Sequence, residues 1–282
     1  MLLKKYFFVV FVIFTTFMSA QIEKQVSQNT ETLTNSLNFT QIKTDSIFNS
    51  SQIISLLTVL KTDLKKMKIE FGFSKSDLKK TSSFAKSTNA LAAINGGFFN
   101  IDDGGSVSYF EINDSVISRQ RNPELKWGVS DNIINGAIII VNDSIINIER
   151  ALSEQFYESS NKELAVLVTG PVLLLNSEST TLPQKKFVTN RHPRTCLCKK
   201  QTSLVFITID GRSKEAEGMN LFEVQKFLLS IGCIDAINLD GGGSTTMWIH
   251  NKGVVNFPSD KTGERPVSNV LLLVNKEQKT ED

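Results

Sequence analysis

The fold is decided by SLVFITIDGRSKEAEGMNLFEVQKFLLSIGCIDAINLDGGG, residues 203–243. One apolar run ends at Asp210 and a second ends at Asp240, and these runs predict two strands. Between them, Asn220 followed three residues later by Glu223 is typical of a capped helix start. The order is therefore strand, loop, helix, strand. If both strands enter one sheet, the crossover makes them parallel and right-handed.

Each predicted strand of this unit ends on a carboxylate. The carboxyl ends of parallel strands share one edge of a sheet, and open α/β sheets bind ligands outside that edge. Asp240 is followed by Gly241, Gly242 and Gly243, and three adjacent glycines cost more backbone entropy than a two-glycine turn. Close approach of a ligand to the backbone explains that cost. We interpret Asp240 as a functional residue, against the alternative of an Asp that caps the amides of a glycine turn.

The rest of the chain alternates apolar runs with turn signals. Residues 77–89 predict a short helix, and residues 90–95 predict a strand that ends at a glycine turn. Asn-Asp pairs between apolar stretches predict hairpins within residues 105–150, and Gly170-Pro171 divides residues 164–176 into two strands or one bent strand. We therefore expect an α/β (α+β) fold in a single domain, with a mixed β-sheet core, helices packed on it and peripheral hairpins.

The first twenty residues have the layout of a secretory signal. Lys4 and Lys5 supply a positive start, an apolar core runs from Tyr6 to Phe17, and Ser19-Ala20 forms a small-residue exit. The apolar core is shorter than the ~20 residues that span a bilayer, so we expect cleavage after Ala20 rather than an uncleaved anchor. The mature protein is then secreted or periplasmic, with no stable membrane insertion.

Residues 21–45 are rich in Thr, Asn, Ser and Gln and predict a flexible polar lead-in, so the domain proper spans residues 46–282. The formal net charge of the whole chain is +2, and the two lysines of the signal account for it. A neutral mature chain argues against nucleic acid or an anionic membrane as a partner. The sequence leaves the oligomeric state open.

Three cysteines form an odd set for an exported chain. Cys196 and Cys198 alternate within one predicted strand and are too close to bridge each other easily, whereas one of them can pair with Cys233. We favour buried free thiols over a disulfide. With His192 and His250 as the only histidines, a zinc site is not expected.

Two further stretches place polar side chains beside apolar strands. NGGFF, residues 95–99, joins a carboxamide that can hold a sugar hydroxyl or a phosphate oxygen to a phenylalanine that can stack on a sugar ring. The alternative is a turn whose phenylalanines enter the core. RHPRT, residues 191–195, gathers Arg191, His192 and Arg194, and guanidinium groups suit a phosphate. The alternative there is a surface charge cluster.

These stretches together resemble the phosphodiester glycosidase family. The matching text is AAINGGFF (92–99), TGPVLLLN (169–176), RHPRT (191–195), TIDGR (208–212), AINLDGGGSTTM (236–247) and GERPVSNVLLL (263–273). The resemblance covers about residues 50–275 and identifies residues 46–282 as a phosphodiester glycosidase-like domain. It implies an α/β fold and hydrolysis of the glycosidic C–O bond of a sugar 1-phosphodiester, such as an N-acetylglucosamine 1-phosphodiester. Cys198 stands where the family tends to have glycine, which leaves the local packing open.

Hydrolysis at the anomeric carbon makes a phosphomonoester the leaving group. Since its second pKa is about 6, it departs with little help from a general acid, and the site needs positive charge around the phosphate and a carboxylate near the oxocarbenium-like centre. We expect Asp240 to be the nucleophile or base and Asp210 its partner or a ligand of a sugar hydroxyl. His192 completes the predicted catalytic set because it suits proton transfer at neutral pH. The predicted substrate-binding residues are Asn95, Gly96, Gly97, Phe98, Arg194, Thr195, Arg212, Asn238, Gly241, Gly242, Ser244, Thr245 and Arg265.

The expected partner is a small-molecule or glycan sugar phosphodiester, with no cofactor, and the sequence leaves open whether a metal ion binds. Carboxyl groups ~5 Å apart suit a retaining displacement, whereas ~6.5–9.5 Å suits an inverting one, and the sequence does not decide between them. One alternative function is a metal-dependent phosphodiesterase that breaks the P–O bond, which the shortage of grouped histidines disfavours. Another is a non-catalytic envelope module that binds glycan phosphates, which the paired strand-end acids disfavour.

Overall fold

The computed structural model describes residues 30–34, 37–124, 126, 128–143 and 145–276. The predicted signal peptide, residues 1–20, lies outside these residues. No helix in the described part is long and apolar enough to cross a membrane. The strands of this part form one eight-stranded sheet and two five-stranded sheets, and neighbouring strands pair antiparallel throughout.

The large sheet consists, in spatial order, of β1 (Thr30–Thr34), β2 (Leu37–Thr44), β3 (Gln52–Leu60), β14 (Ser203–Ile209), β13 (Arg194–Lys199), β15 (Asp235–Asn238), β11 (Val172–Leu175) and β12 (Glu178–Ser179). The second sheet consists of β7 (Ser115–Ser118), β6 (Phe110–Ile112), β10 (Ala165–Thr169), β8 (Gly136–Asn142) and β9 (Ile145–Arg150). The third sheet consists of β17 (Gly253–Val254), β16 (Met247–Ile249), β5 (Ala92–Asn95), β18 (Asn269–Asn275) and β4 (Met67–Phe73).

Short helices connect these strands. They are α1 (Thr81–Ser87), α2 (Glu154–Glu158), α3 (Lys186–Thr189) and α4 (Leu221–Ser230), with 3-10 turns at Ile47–Asn49, Lys61–Lys65 and Gly242–Ser244. The predicted capping box of α4 is confirmed, because Glu223 N donates to Asn220 Oδ1 at 2.9 Å and Asn220 N donates to Glu223 Oε2 at 3.0 Å. The two Asn-Asp hairpins are also confirmed as β6–β7 and β8–β9.

The predicted α/β (α+β) class is wrong. The structure is mostly β, and its few short helices accompany three antiparallel sheets that pack on one another. The mixed sheet was expected because β14 and β15 follow each other around α4. In the structure, β13 lies between them and pairs antiparallel with both. Since β13 and β14 form a hairpin, the large sheet contains antiparallel neighbours where sequence order indicated parallel ones.

The hydrophobic core lies between the sheets, and the large sheet is buried on both faces. On β14, Leu204 and Phe206 face a cluster to which all three sheets contribute. Val205 and Ile207 point to the opposite face, where α4 packs through Leu228. Burial on both faces explains why this strand reads as a continuous apolar run rather than as an alternating one.

The predicted flexible lead-in over residues 21–45 is wrong for its second half. Residues 37–44 form β2, which pairs with β3 along its whole length, and Leu37 and Ile42 are buried. The strand signal was hidden because most side chains in LNFTQIKT are polar. Residues 21–29 lie outside the described part of the chain.

Cys198 and Cys233 form a disulfide, with their Cα atoms 5.8 Å apart. The preference for free thiols is therefore wrong for this pair, whereas Cys196 is a buried free thiol. Cys198 lies opposite Ala236 of β15, so the chain that leaves α4 and enters β15 brings Cys233 next to it. The bridge fixes the end of α4 to the middle of the large sheet.

We expect this disulfide to stabilise the protein measurably. It closes a loop between residues 35 apart in sequence, for which chain entropy predicts about 3–4 kcal/mol. Adding dithiothreitol should lower the melting temperature of the wild type and of Cys196→Ala, and should leave that of the double variant Cys198→Ala/Cys233→Ala unchanged. A wild-type melting temperature that does not respond to reductant would contradict the assignment of the bridge.

Candidate active site

Polar side chains meet at the edge of the large sheet where β14 and β15 end and β13 begins. Cys196 pairs with Ile207 on one side and with Asn238 on the other, so these residues are level across the sheet. Asp210 follows Ile207 by three residues and Asp240 follows Asn238 by two. The predicted shared edge is therefore confirmed, although β13 places the two strands two spacings apart, or ~10 Å.

The carboxamide of Asn95, at the end of β5, ties the third sheet to this edge. Its Nδ2 donates to Asp240 O at 2.6 Å, and its Oδ1 accepts from Thr195 Oγ1 at 2.7 Å and from Thr246 N at 3.1 Å. Asp240 N in turn donates to Gly96 O at 3.0 Å. Asn95 and Thr195 are fully buried. Their position favours holding the loop after β15 over direct contact with a ligand.

The glycines of that loop are explained by two guanidinium groups that rest on the backbone. A Cβ atom on Gly243 would collide with the guanidinium of Arg265. A Cβ atom on Gly242 would come within 2.8 Å of Arg212 Nη2, and Gly242 also has a φ of +61°, which side-chain-bearing residues rarely adopt. The bare backbone thus allows two cations to approach the loop closely.

Gly241 is required for a different reason. A Cβ atom there would come within 2.6 Å of Pro193 O, the carbonyl just before β13. Gly242 N donates to the same oxygen at 2.9 Å, and Gly241 N donates to Asp240 Oδ1 at 3.0 Å. These two amides are therefore committed within the protein, and the arginines become the main positive groups of the loop.

Asp240 is partly buried between these cations. Burial raises the pKa of its carboxyl group from 3.8 to about 6, while the Ser244 hydroxyl, Arg265, the Gly241 amide and Arg212 act in the opposite direction. Ser244 Oγ has no direct hydrogen bond to another residue of the described chain, although it lies close enough to lower this pKa. The carboxylate is mostly ionised at neutral pH and remains easily protonated below it.

The two guanidinium groups are held differently. Arg265 Nε donates to Asp260 Oδ2 at 2.7 Å, and Thr262 N donates to Asp260 Oδ1 at 3.3 Å. The hydrogen bond from Arg265 holds the pKa of Asp260 below its usual range. Arg212 is exposed and has a φ of +65°, and within the described part of the chain its guanidinium makes no hydrogen bond or ion pair.

Asp210 occupies the other end of the same edge and is 2% exposed. Its Oδ1 accepts from Asn256 Nδ2 at 2.9 Å and from Phe257 N at 3.1 Å. Among described residues, Oδ2 has no hydrogen-bond partner. Burial raises the pKa of Asp210 to about 6, opposed by the hydrogen bonds from Asn256 and Phe257 and by Lys43. Asn256 also donates to Thr245 O at 3.0 Å, which links Asp210 to the glycine loop.

Arg194 lies beneath this edge rather than at its surface. It is 1% exposed, its Nε donates to Met219 O at 2.9 Å, and its Nη2 donates to Phe187 O at 2.8 Å and Asn190 O at 2.9 Å. Burial lowers its pKa to about 10. These bonds fix two loops against β13, so its geometry favours a structural role over phosphate binding.

His192 and Arg191 flank this buried arginine. Burial, together with Arg194 and Arg212, lowers the pKa of His192, so its imidazole is neutral at pH 7. Arg191 forms ion pairs with Glu217 at 2.8 Å and with Glu223 at 2.7 Å and is committed within the protein. Of the cations in RHPRT, none is therefore left free for a ligand, and His192 remains the titratable group of that stretch.

The remaining predicted ligand residues are mostly buried. Gly97 N donates to Asn269 Oδ1 at 2.7 Å. Phe98 lies in the core, as in the alternative interpretation of NGGFF. Asn238 is fully buried and its Nδ2 donates to Gly170 O at 2.9 Å. These contacts support roles in shaping the loops beneath the site.

Sequence reasoning assigned no role to Asn256, Phe257, Asp260 or Asn269, all of which contact the predicted site residues. Asn269 lies within GERPVSNVLLL, so the motif contained a signal for it. Asn256, Phe257 and Asp260 belong to a polar loop between β17 and β18. Only the return of that loop to the edge of the large sheet gives them a role.

The described residues contain no group of three or more His, Cys, Asp or Glu side chains placed to hold a metal ion. Asp102 and Asp103, two adjacent acids that could in principle bind a cation, interact with other residues of the protein instead. Asp102 forms an ion pair with Lys126 at 2.6 Å, and Asp103 accepts from Asn100 Nδ2 at 2.7 Å.

The sequence profile of the Phosphodiester glycosidase family matches residues 88–274, a range that includes Asn95, Asp210, Asp240 and Arg265. The chain belongs to the phosphodiester glycosidase family. It is 29% identical over 192 residues to human N-acetylglucosamine-1-phosphodiester alpha-N-acetylglucosaminidase, covering 62% of this chain and 35% of the human one. The bovine relative of the same name is 28% identical, with 62% and 34% covered. The chain thus spans about a third of the length of these curated relatives.

Two solved structures share the fold of this phosphodiester glycosidase. The catalytic domain of zebrafish N-acetylglucosamine-1-phosphodiester alpha-N-acetylglucosaminidase superposes with a TM-score of 0.64 at 21% identity, covering 88% of this chain and 86% of that one. A hypothetical protein from Synechocystis superposes with a TM-score of 0.66 at 14% identity, covering 88% and 63%. At these identities the likeness concerns the fold.

We expect the carboxylate of Asp240 to destabilise this phosphodiester glycosidase above pH 6. Its folded-state pKa of about 6 exceeds the ordinary 3.8, so the folded state keeps a proton that the unfolded state loses between these values. Stability therefore falls as pH rises from 4 to 6. Asp240→Asn should be more stable than wild type at pH 7.5. The difference between their free energies of unfolding should be about 1–3 kcal/mol larger there than at pH 4.

Chemical denaturation at the two pH values measures this effect. The matched control is Asp114→Asn, which changes an exposed carboxylate in the β6–β7 turn and should show a similar difference from wild type at both values. If Asp240→Asn behaved like this control, burial of the Asp240 carboxylate would be contradicted.

Proposed function

We propose that this protein hydrolyses the glycosidic C–O bond of a sugar 1-phosphodiester, with release of the free sugar and a phosphomonoester. The observation that carries the proposal is the arrangement around Asp240, whose carboxylate lies beside Arg212 and Arg265 on a loop without side chains. A carboxylate flanked by two cations suits a reaction in which a phosphate leaves an anomeric carbon.

Arg212 and Arg265 provide the positive charge that the departing phosphomonoester needs. A phosphomonoester has a second pKa of about 6, so its departure requires little protonation and benefits mainly from fixed positive charge. Arg265 commits Nε to Asp260, which leaves its two Nη atoms for a phosphate. Arg212 makes no competing ion pair among described residues, and both groups lie on the glycine loop.

Asp240 provides the carboxylate that acts at the anomeric carbon. A carboxyl group with a pKa of about 6 is mostly ionised at pH 7 and can act as nucleophile or as base. Asp210 remains its partner or a ligand of a hydroxyl group. A retaining pair of carboxyl groups is ~5 Å apart and an inverting pair ~6.5–9.5 Å apart, whereas the strands that carry Asp210 and Asp240 are ~10 Å apart. The anomer released first, read by proton NMR, distinguishes the two outcomes.

His192 and the buried polar residues complete the proposed site. The imidazole of His192 is neutral at pH 7 and lies near Arg212, so it can exchange a proton or donate a hydrogen bond near the phosphate. We assign Asn95, Thr195 and Arg194 to positioning, because their polar atoms bond within the protein.

We further propose N-acetylglucosamine as the sugar, by analogy with the names of the human and bovine relatives. Export by the N-terminal segment, with a soluble or glycan-linked diester as substrate, is part of the same proposal. A methyl phosphodiester of α-N-acetylglucosamine 1-phosphate is the simplest probe, because it contains the scissile bond and no second sugar.

The first test is Asp240→Asn on this probe. We expect kcat to fall at least about 1,000-fold, because the variant retains the shape of the side chain and lacks the charge that stabilises the oxocarbenium-like centre. Release of N-acetylglucosamine measures the reaction. Asp114→Asn, which removes an exposed carboxylate in the β6–β7 turn, serves as the matched control and should retain activity.

Reaction in oxygen-18 water tests which bond breaks. C–O cleavage places the label in the sugar, whereas P–O cleavage places it in the phosphomonoester. Label in the phosphate would contradict the proposal and favour a phosphodiesterase. Saturable binding of the probe with no turnover would also contradict it and favour a binding module.

A second test concerns the bare backbone beneath Arg265. Gly243→Ala should weaken binding of methyl phosphate about tenfold or more, because the new methyl group displaces the guanidinium. Gly97→Ala is the matched control, since its Cβ would meet only ordinary contacts at 3.4 Å. Isothermal titration of both variants measures the effect, and equal affinities would exclude Arg265 as a phosphate ligand.

A further inference from the structure

A cavity of about 610 Å³ lies beside Asp210 at the edge of the large sheet. Four segments form its walls: the end of β2, the start of β3, the loop after β14 and the loop between β17 and β18. Its charged and aromatic lining residues are Lys43, Asp45, Asp210, Arg212, Glu215 and Phe257. Asp240 is not among the residues that line this cavity.

Asp210 presents one carboxylate oxygen that the protein does not use. Asn256 and Phe257 both donate to Oδ1, which fixes the orientation of the group. Asp210 is only 2% exposed, and its Oδ2 is buried and has no hydrogen-bond partner among described residues. A buried carboxylate oxygen without a donor is costly unless a ligand or solvent supplies one. The cavity beside it is where such a donor can enter.

Arg212 joins this cavity to the glycine loop. Its guanidinium lies against Gly242, lowers the pKa of Asp240 and lines the cavity. A phosphate bound to Arg212 therefore has Asp240 on one side and the cavity on the other. Since the anomeric carbon must lie at Asp240, the second substituent of the phosphodiester points into the cavity.

The cavity lining favours an uncharged group with hydroxyls and a C–H face. Lys43 and Arg212 are balanced by Asp45, Asp210 and Glu215, so neither an anion nor a cation gains a large advantage. Phe257 is 60% exposed, which gives the cavity an aromatic surface of the kind that packs on the C–H face of a polyol. Lys43 Nζ lies 5.8 Å from the centroid of that ring.

We propose that Asp210 is a specificity-determining residue for the second alcohol of the phosphodiester, which stays esterified in the phosphomonoester product, and not the second carboxylate of the chemistry. Its Oδ2 accepts a hydrogen bond from a hydroxyl of a polyhydroxylated alcohol seated in the cavity, with Phe257 against the C–H face of that alcohol. The inference rests on the proposed function, since it assigns the alcohol side of the same phosphodiester.

The test compares two diesters of α-N-acetylglucosamine 1-phosphate, one with methanol and one with the 6-hydroxyl of glucose. We expect wild type to prefer the glucosyl diester in kcat/KM. Asp210→Asn should reduce that preference at least tenfold, mainly through KM of the glucosyl diester. A catalytic Asp210 would instead lower kcat for both diesters equally and preserve the preference, which would overturn the proposal.

Two further variants make the result independent of whether Asp210→Asn folds. Phe257→Ala alters an exposed side chain and should also reduce the preference. Lys214→Ala changes a neighbouring exposed residue that does not line the cavity, and should retain it. If Phe257→Ala kept the preference for the glucosyl diester, the proposed position of the alcohol in the cavity would be contradicted.

A binding measurement separates this inference from the proposed function. Wild type should bind glucose 6-phosphate more tightly than methyl phosphate, and Asp210→Asn should bind the two within about twofold of each other. If neither diester were hydrolysed yet this difference appeared, the proposed reaction would fail and the cavity assignment would stand. If both were hydrolysed and the two phosphates bound alike to wild type, the cavity assignment alone would fail.

Discussion

The carboxamide of Asn95 connects the parts on which the site depends. It stands at the end of a strand in the third sheet, donates to the backbone of Asp240 and accepts from Thr195 and Thr246. These bonds are buried, where an unpaired amide would be costly. The loop after β15 is therefore held between two sheets, and the position of the Asp240 carboxylate follows from packing that lies mostly below the site.

Because Asn95 holds the loop after β15 in place, the glycines of that loop can bring two positive charges, Arg212 and Arg265, close together. Gly242 and Gly243 remove the side chains that would separate Arg212 and Arg265 from the backbone. The carboxylate between them is partly desolvated, and burial raises its pKa more than the cations lower it. Such an arrangement is unfavourable for stability and suited to a reaction in which negative charge develops on a leaving phosphate. The large buried core of three sheets supplies the stability that the edge lacks.

The site also shows why residue type alone is a weak guide to role. Arg191, Arg194, Arg212 and Arg265 all resemble phosphate ligands in the sequence. Arg191 is paired with two glutamates, and Arg194 is buried against main-chain carbonyls, so only Arg212 and Arg265 lie on the glycine loop. The two strand-end acids differ in the same way, because Asp210 faces a cavity and Asp240 faces the cations. These distinctions depend on loops that are distant in sequence.

Local signals in the sequence were sufficient to predict β14, α4 with its capping box, β15, the two Asn-Asp hairpins and the common edge of Asp210 and Asp240, because each depends on residues close together in the chain. The tertiary structure alone decided that β13 separates those strands, that the sheets are antiparallel, that Cys198 pairs with Cys233 and that Asp260 orients Arg265. The physical reason is that strand partners and loop contacts are selected by burial of both faces of a sheet, which involves segments far apart in sequence and leaves no local pattern.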